Sequence, residues 1–436
     1  MGLFRDVAST LLTSAAALPL AFAANILLAR CLSISDRGLF ALLTNFAMFA
    51  YWLTQLGWAE AIIYRTRRAG VSPARALSTG LLANGAIALG VALLCVAARE
   101  PLSHAFLDDV GAPAFLFAAF TGPLLTLGDL LRGAARALDR FDLQNLYSFL
   151  QPAGVLAALA LALPIGGGGL DAALAANLLV QLALAALFAV WLAALAGFEW
   201  RVHWPEAGAS LRYGWQLAAQ NLLVQLHERA DIFLLAALGV AASEIGLYAT
   251  AVSVVAPLRL VPGAIGIAVL PHLAGARDDD AARLTAAVVR AAGIFMLATT
   301  AALAVLGPPA IPLVFGAGYA PAVASFLLLL PGVAAVTVSR VLSRYFAAVN
   351  QLRGPLLLRG WVLALNVALN LWFIPRWGIS GAASASLISY STEALALVGL
   401  FCAASGQSLR EALAPRWSDF EQGLSSLRSS LGGRAR

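Results

Sequence analysis

The chain contains no lysine, and only 11% of its 436 residues are charged. Soluble domains carry about 25% charged residues, so a water-facing globule is excluded. Cysteine is scarce as well. Cys31, Cys95 and Cys402 lie far apart and form no C-x-x-C pair, which removes a disulfide framework and a thiolate metal site. The four histidines, His104, His203, His227 and His272, show no ligand spacing, so no metal centre is expected. Long polar stretches are missing too; the predicted outer loops reach only about 15 residues, too short for a catalytic domain between spans.

What is present is apolar: 61% hydrophobic residues and a mean hydropathy of +0.85. A spanning helix needs about 20 apolar residues. Runs of that length fall at 7–30, 38–58, 77–98, 111–131, 146–164, 170–196, 211–238, 244–270, 286–306, 322–347, 356–375 and 380–403. The first run, with Arg5 before it and Ala21-Phe22-Ala23 inside it, imitates a secretory signal. Thr10, Thr13 and Ser14 interrupt the apolar stretch, and it is read as helix 1. The fold class is therefore an all-α polytopic membrane protein with about 12 spans.

All 28 basic residues are arginine. Arg5, the group Arg65 to Arg75, Arg132, Arg136, Arg140, Arg201, Arg212, Arg277, Arg283, Arg290, Arg353, Arg359 and the arginines of the tail fall on one side of the predicted membrane. Only Arg30, Arg37, Arg99 and Arg376 fall on the other, while Arg229, Arg259, Arg340 and Arg344 lie inside spans. Positive charge accumulates in cytoplasmic loops, so both termini are placed in the cytoplasm. The net charge of +6 orients helices, and nucleic acid is not expected as a partner. Trp200, Trp204, Trp215, Trp372 and Trp377 lie at span ends, where amphipathic rings favour the interface.

The segment SDRGLFA at 35–41 recurs as SEIGLYA at 243–249, and PIGGGGLDAALAA from Pro164 is echoed by PRWGISGAASAS from Pro375. The echoes set helices 1 to 6 against helices 7 to 12. An even number of spans per copy keeps the two copies parallel, and substrate sites of such transporters lie between the halves near the midplane. The expected domains are an N-terminal six-helix lobe (1–196), a cytoplasmic linker (197–212), a C-terminal six-helix lobe (213–403) and a cytoplasmic tail (404–436) carrying a short amphipathic helix. The lobes should surround a central cavity.

At LLARCLSISDRGLFAL (27–42), LGWAEAIIYR (56–65), RADIFLLAALG to EIGLYATA (229–251), VPGAIGIAVLP (261–271), PLVFGAGYAPA (312–322) and LNLWFIPRWGISGAASAS (369–386), the chain resembles the polysaccharide transport family of the MOP flippase superfamily. That group contains the O-antigen and exopolysaccharide flippases. The resemblance implies movement of undecaprenyl-diphosphate-linked oligosaccharide from the inner to the outer leaflet of a bacterial cytoplasmic membrane. It also implies polysaccharide polymerase and assembly proteins as partners, besides the lipid bilayer and the lipid-linked saccharide itself. Glu60 departs from the family, which has a small or neutral polar residue there.

Ionisable groups at membrane depth are costly and usually face water or a partner. A guanidinium is always charged and matches phosphate oxygens. Arg259, Arg229, Arg340 and Arg344 are therefore the candidates for holding the diphosphate. Arg340 and Arg344, four apart, share a helix face and could instead snorkel to headgroups. Asn25, Asn45 and Gln55 are candidates for lining a sugar cavity, or for holding helices together. Asp231, Asn366, Asn370 and Ser386 fall at similar predicted depths. Together with Glu393, which could relay protons or pair with an arginine, they are candidates for coupling to Na+ or H+, because hard cations favour oxygen ligands. The arrangement resembles the sodium site of the lipid II flippases of the same superfamily, with Asn370 where those have an acid. No other cofactor is expected. A multidrug or cation antiporter of the same fold is the alternative; a membrane glycosyltransferase, polymerase or ligase is a third reading, and the expectation is that the chain is not an enzyme.

Overall fold

A computed structural model describes residues 2–106, 110–165, 169–259, 278–349, 351 and 353–414, and among them regular structure is helical throughout. The first half comprises α1 (Gly2–Cys31), α2 (Ile34–Thr54), α3 (Trp58–Arg67), α4 (Pro73–Thr79), a π turn (Gly80–Asn84), α5 (Gly85–Ala97), α6 (Arg99–Phe106), α7 (Ala112–Ala137), α8 (Phe141–Ile165) and α9 (Leu170–Ala196). The second half comprises α10 (Trp204–Ala237), α11 (Ala242–Val255), a 3-10 turn (Ala256–Arg259), α12 (Asp278–Phe315), a second 3-10 turn (Ala317–Tyr319), α13 (Ala322–Ala348), α14 (Arg353–Ser405) and α15 (Leu409–Leu413).

Among the described residues, nine helical stretches are long and apolar enough to cross a membrane. The stretch Arg353–Ser405 is two helices joined at Gly378, whose φ of 53° and ψ of −130° break the helix. That backbone conformation needs glycine, and three residues on a Cβ at Gly381 would overlap the Phe373 carbonyl, so the hairpin closes tightly. α10 carries His227, Glu228, Arg229 and Asp231 within its length, and α11 is a shorter apolar helix. The apolar runs read from the sequence thus fall mainly on helix; the run 38–58 leaves it over Gln55 to Gly57, and the run 244–270 is described as far as Arg259.

Helix ends differ from the runs where capping chemistry intervenes. The Ser33 hydroxyl accepts from the Asp36 N–H at 3.0 Å, which starts α2 at Ile34 and draws Arg37 into the helix. The linker expected over 197–212 is non-helical only up to His203. Pro205 sits in the first turn of α10, where its missing N–H costs nothing. That connector is tied down by its backbone: the Glu199 N–H donates to Ser78 Oγ at 2.7 Å and the His203 N–H to Thr79 Oγ1 at 3.4 Å. The His203 ring bonds the Glu199 carboxylate, and this bond holds the Glu199 carboxyl below its usual range. In the tail, Ser408 and Glu411 form a reciprocal capping box that starts α15.

The chain forms two compact units, one of residues 1–253 and 312–319, the other of 254–311 and 320–436. This grouping by packing cuts the chain elsewhere than the repeat does. In the first unit α7 touches α2, α3, α5 and α9, α1 lies on α8, and α10 packs on α2 and α3. Trp58, Leu77, Leu131, Tyr147 and Phe188 fill its core.

The two echoes SDRGLFA and SEIGLYA meet each other in this unit. A Cβ on Gly38 would overlap the Ala242 carbonyl, and one on Gly246 would overlap the Ile34 carbonyl. Each glycine therefore faces the carbonyl four residues before the other, a reciprocal contact that joins α2 and α11 backbone to backbone. Residues 312–319 join the same unit for a different reason. Arg30, at the end of α1, donates to the carbonyls of Leu313 and, at 2.8 Å, Val314, satisfying the last turn of α12. Phe22 packs edge-on to Phe315, centroids 5.9 Å apart. The second unit is built on α12, α13, α14 and α15, with Ala281, Val289, Leu342, Tyr345, Leu397, Phe401 and Ala412 buried together.

Candidate functional site

Three polar clusters within the first unit and two within the second use residues singled out above. In the first unit Arg229 of α10 donates from Nη1 to Asn45 Oδ1 of α2 at 2.9 Å, and its guanidinium carbon lies 5.9 Å from the Trp52 ring centroid. Asn45 is buried and fixed by its own Nδ2 bond to the Ala41 carbonyl, 2.7 Å. A predicted phosphate ligand and a predicted sugar contact therefore stand together, 184 residues apart in sequence. Two residues beyond Arg229, the buried Asp231 carboxylate accepts from the Tyr248 hydroxyl and, at 2.9 Å, from the Ile232 N–H.

The other two amides expected to share that lining are elsewhere. Asn25 of α1 donates to the Ala21 carbonyl at 2.9 Å and accepts from Arg37 Nη2 at 2.7 Å. Gln55 caps the end of α2, ten residues and about 15 Å of helical rise from Asn45. Arg37, placed by sequence among the outer loop arginines, is buried within α2.

On α3, which follows α2, Arg65 grips Glu206 of α10 with two bonds, Nε to Oε1 at 2.7 Å and Nη2 to Oε2 at 2.6 Å. This is the planar two-bond match that a guanidinium makes with a carboxylate.

In the second unit Asn366, Asn370, Ser386 and Ser389 are all buried. Asn366 Nδ2 donates to Ser389 Oγ at 2.9 Å, Asn370 Nδ2 donates to Asn366 Oδ1 at 3.1 Å, and Ser389 Oγ donates to the Ser386 carbonyl at 3.1 Å. Among the described residues Asn370 Oδ1 is buried without a hydrogen-bond donor. Asp231, expected to act with these oxygens, belongs to the first unit. Glu393 is buried and accepts from Arg359 Nε at 3.3 Å, while Arg359 Nη2 donates to Ser343 at 2.9 Å. Of the two readings of Glu393, the arginine pair is the one this geometry displays.

Arg340 is half-buried and Arg344 exposed. Arg259, expected midway along a helix, closes a 3-10 turn instead, because α geometry ends at Val255 shortly before Pro257; its side chain lies outside the described residues. Among the described residues no group of His, Cys, Asp and Glu could hold a metal ion.

Sequence reasoning passed over Arg37, Tyr248, Trp52 and Arg359. A signal for Arg37 was present in the repeat itself: within the paired segments it stands opposite Ile245, a charge where the echo is apolar.

Among the described residues the long apolar helices hold guanidinium, carboxylate and amide groups within their length, the kind of placement that marks a functional site in a membrane-spanning bundle. A family model described as polysaccharide biosynthesis protein matches residues 27–324, and the chain belongs to that family. The probable flippase AglR of Haloferax volcanii is 26% identical over 398 residues, covering 84% of this chain and 76% of its own length. Among solved structures, lipid II flippase MurJ in an inward closed conformation shares the fold with a TM-score of 0.71 at 14% identity, over 89% of this chain and 87% of its own. An inward-facing multidrug resistance MATE family transporter of the MOP superfamily gives 0.70 at 14% identity, over 91% and 96%. A MOP superfamily transporter from Pyrococcus furiosus gives 0.65 at 14%, over 93% and 96%. The fold is thus the MOP transporter fold, and the protein is a multi-pass membrane protein.

Proposed function

We propose that the chain is a flippase that carries a polyprenyl-diphosphate-linked oligosaccharide from the inner to the outer leaflet of a bacterial cytoplasmic membrane by alternating access. Membership of a polysaccharide biosynthesis family and similarity to a probable flippase support this reading. The observation that carries it is the Arg229–Asn45 pair beside Trp52. A guanidinium supplies charge and a donor fork for phosphate, an amide beside it offers donor and acceptor to sugar hydroxyls, and the indole offers an apolar face. Arg259 and the half-buried Arg340 are the further diphosphate ligands in this reading, with Arg344 nearest the headgroups.

Coupling to Na+ or H+ is part of the proposal. Its support is the buried set of neutral oxygens in the second unit, where the Asn370 acceptor has no donor among the described residues, and the buried Asp231 carboxylate in the first. Both termini lie in the cytoplasm, from the arginine asymmetry. Polymerase and assembly proteins that consume the exported glycan are the expected partners.

The test is reconstitution in liposomes with undecaprenyl-diphosphate glycans, read as glycan accessible on each face. Transport falls at least tenfold in Arg229→Ala at unchanged folding, and Arg229→Lys recovers only part, because the two-bond fork is gone. Transport at the wild-type rate in Arg229→Ala overturns the diphosphate role. A cationic drug moved in place of the lipid-linked glycan would favour the antiporter.

A further inference from the structure

Arg37 has the wrong surroundings for a structural charge. It is 4% exposed. Among the described residues its Nη2 donates to Asn25, its Nε meets no acceptor and no carboxylate pairs with it. A charge removed from water costs several kcal/mol unless it is paired, and one neutral amide oxygen compensates little of that. The turn that bears Tyr319 packs on the first turn of α2, where a Cβ on Gly318 would meet Ile34 Cδ1 at 2.9 Å, and it brings a second incomplete group: Tyr319 is 3% exposed, and among the described residues its hydroxyl has no hydrogen-bond partner. Burial pushes the Tyr319 phenol above its ordinary range while the Arg37 charge pulls it down, so the two groups act on each other. Neither is loosely placed. Arg30 and Phe22 hold the segment that bears Tyr319, and Asn25 is fixed by its bond to Ala21.

Arg37 also adjoins Gly38, where α2 and α11 touch through bare backbone. Contact of that kind parts without breaking a charged bond. A planar guanidinium fork with a free donor, beside a phenol with a free donor, matches the oxygens of a phosphate group.

We propose that Arg37, Asn25 and Tyr319 form a phosphate-binding site of their own, which takes a phosphate or diphosphate group when α2 and α11 separate at Gly38 and Gly246. Asn25 orients the fork through Nη2, and Arg37 Nε and the Tyr319 hydroxyl donate to the phosphate oxygens. The site lies eight residues along α2 from Asn45, about 12 Å by helical rise. It is therefore a second station for the anion beyond the Arg229 cluster. The identification of the anion as the carrier's diphosphate rests on the flippase reading; the binding chemistry does not.

The full-length protein in lipid nanodiscs tests the site with inorganic diphosphate and, separately, with undecaprenyl diphosphate. In an Arg229→Gln background, which removes the first station, inorganic diphosphate still binds; adding Arg37→Gln weakens it at least tenfold and adding Tyr319→Phe two- to fivefold. Labelling of Arg37 by phenylglyoxal, located by mass spectrometry, slows when diphosphate is added; the lysine-free chain leaves arginine as the modified side chain. Tyr319→Phe removes one oxygen only and carries the test should Arg37→Gln fail to fold. Equal diphosphate affinity with and without the Tyr319 hydroxyl and the Arg37 guanidinium overturns the site, as does Arg37 labelling that diphosphate does not slow. Binding of the lipid carrier alone, if it depends on Arg37, upholds the site and names the lipid as its source. Arg37-dependent diphosphate binding by a protein that moves no lipid-linked glycan upholds the site and sinks the flippase reading.

Discussion

The two ends of the α2–α3 arm are fastened in opposite ways. At one end α2 meets α11 through glycine and carbonyl, beside a guanidinium whose single acceptor among the described residues is a neutral amide. At the other, Arg65 and Glu206 close a two-bond ion pair between α3 and α10, the side chains 23% and 7% exposed. A backbone contact of this sort has shape but little directional strength, whereas the ion pair leaves a stranded charge if it is broken. In the proposal made above the first end is the one that parts, while the ion pair holds the second.

The ion pair is where a single substitution should cost most. Glu206→Gln leaves the Arg65 guanidinium, and Ser210 with its 3.3 Å bond to the same carboxylate, without their charged acceptor. Removing one partner of a buried pair costs about 3 to 5 kcal/mol, and the partial exposure of Arg65 brings the expected loss to about 2 to 3 kcal/mol. Thermal unfolding in detergent measures it. The double variant Arg65→Met with Glu206→Leu should recover most of the loss, since no charge is then stranded. A single variant as stable as wild type would mean that the pair does not hold this end.

The contrast between the ends also marks what could be read from sequence. Apolar runs located the helices because spanning length is a local property, and the echo at Gly38 and Gly246 located a contact because both copies need the same small residue. Arg37 was misplaced through a local detail: the apolar run begins at 38, but the Ser33 cap starts α2 four residues earlier. Arg229 and Asn45 were each recognised by depth, yet their meeting is a tertiary fact that no spacing encodes. The Arg359–Glu393 pair depends on the fold-back at Gly378, which brings an orienting arginine onto a buried acid.

A middle-sized effect is expected at the glycine contact. Gly38→Ala places a methyl group against the Ala242 carbonyl, and overpacking of this kind costs about 1 to 3 kcal/mol. Because the contact lies at the end that parts, the strain should be relieved by opening. Phenylglyoxal should then reach Arg37 several-fold faster in Gly38→Ala and in Gly246→Ala. Gly90→Ala, at a position where nothing lies within 4 Å of the new Cβ, serves as control and should leave the rate unchanged. Equal labelling in all three would show that α2 and α11 do not part there.

The smallest effect belongs to the connector that runs from α9 into α10. Glu199 and His203 bind each other there and hang on Ser78 and Thr79 through backbone N–H groups. Because the folded state holds the Glu199 carboxyl below its usual range, the pairing contributes above the ordinary glutamate range and is lost as pH falls through the lowered value. Amide exchange across 197–205, corrected for its intrinsic pH dependence, should therefore quicken on acidification below that range. Glu199→Gln removes the ionisable group and should abolish the acid step, whereas an acid step that survives in this variant would assign the change to another residue. The connector is held by two backbone bonds whatever the charge state, so acid should loosen it without freeing it, while loss of the Ser78 hydroxyl should loosen it at every pH.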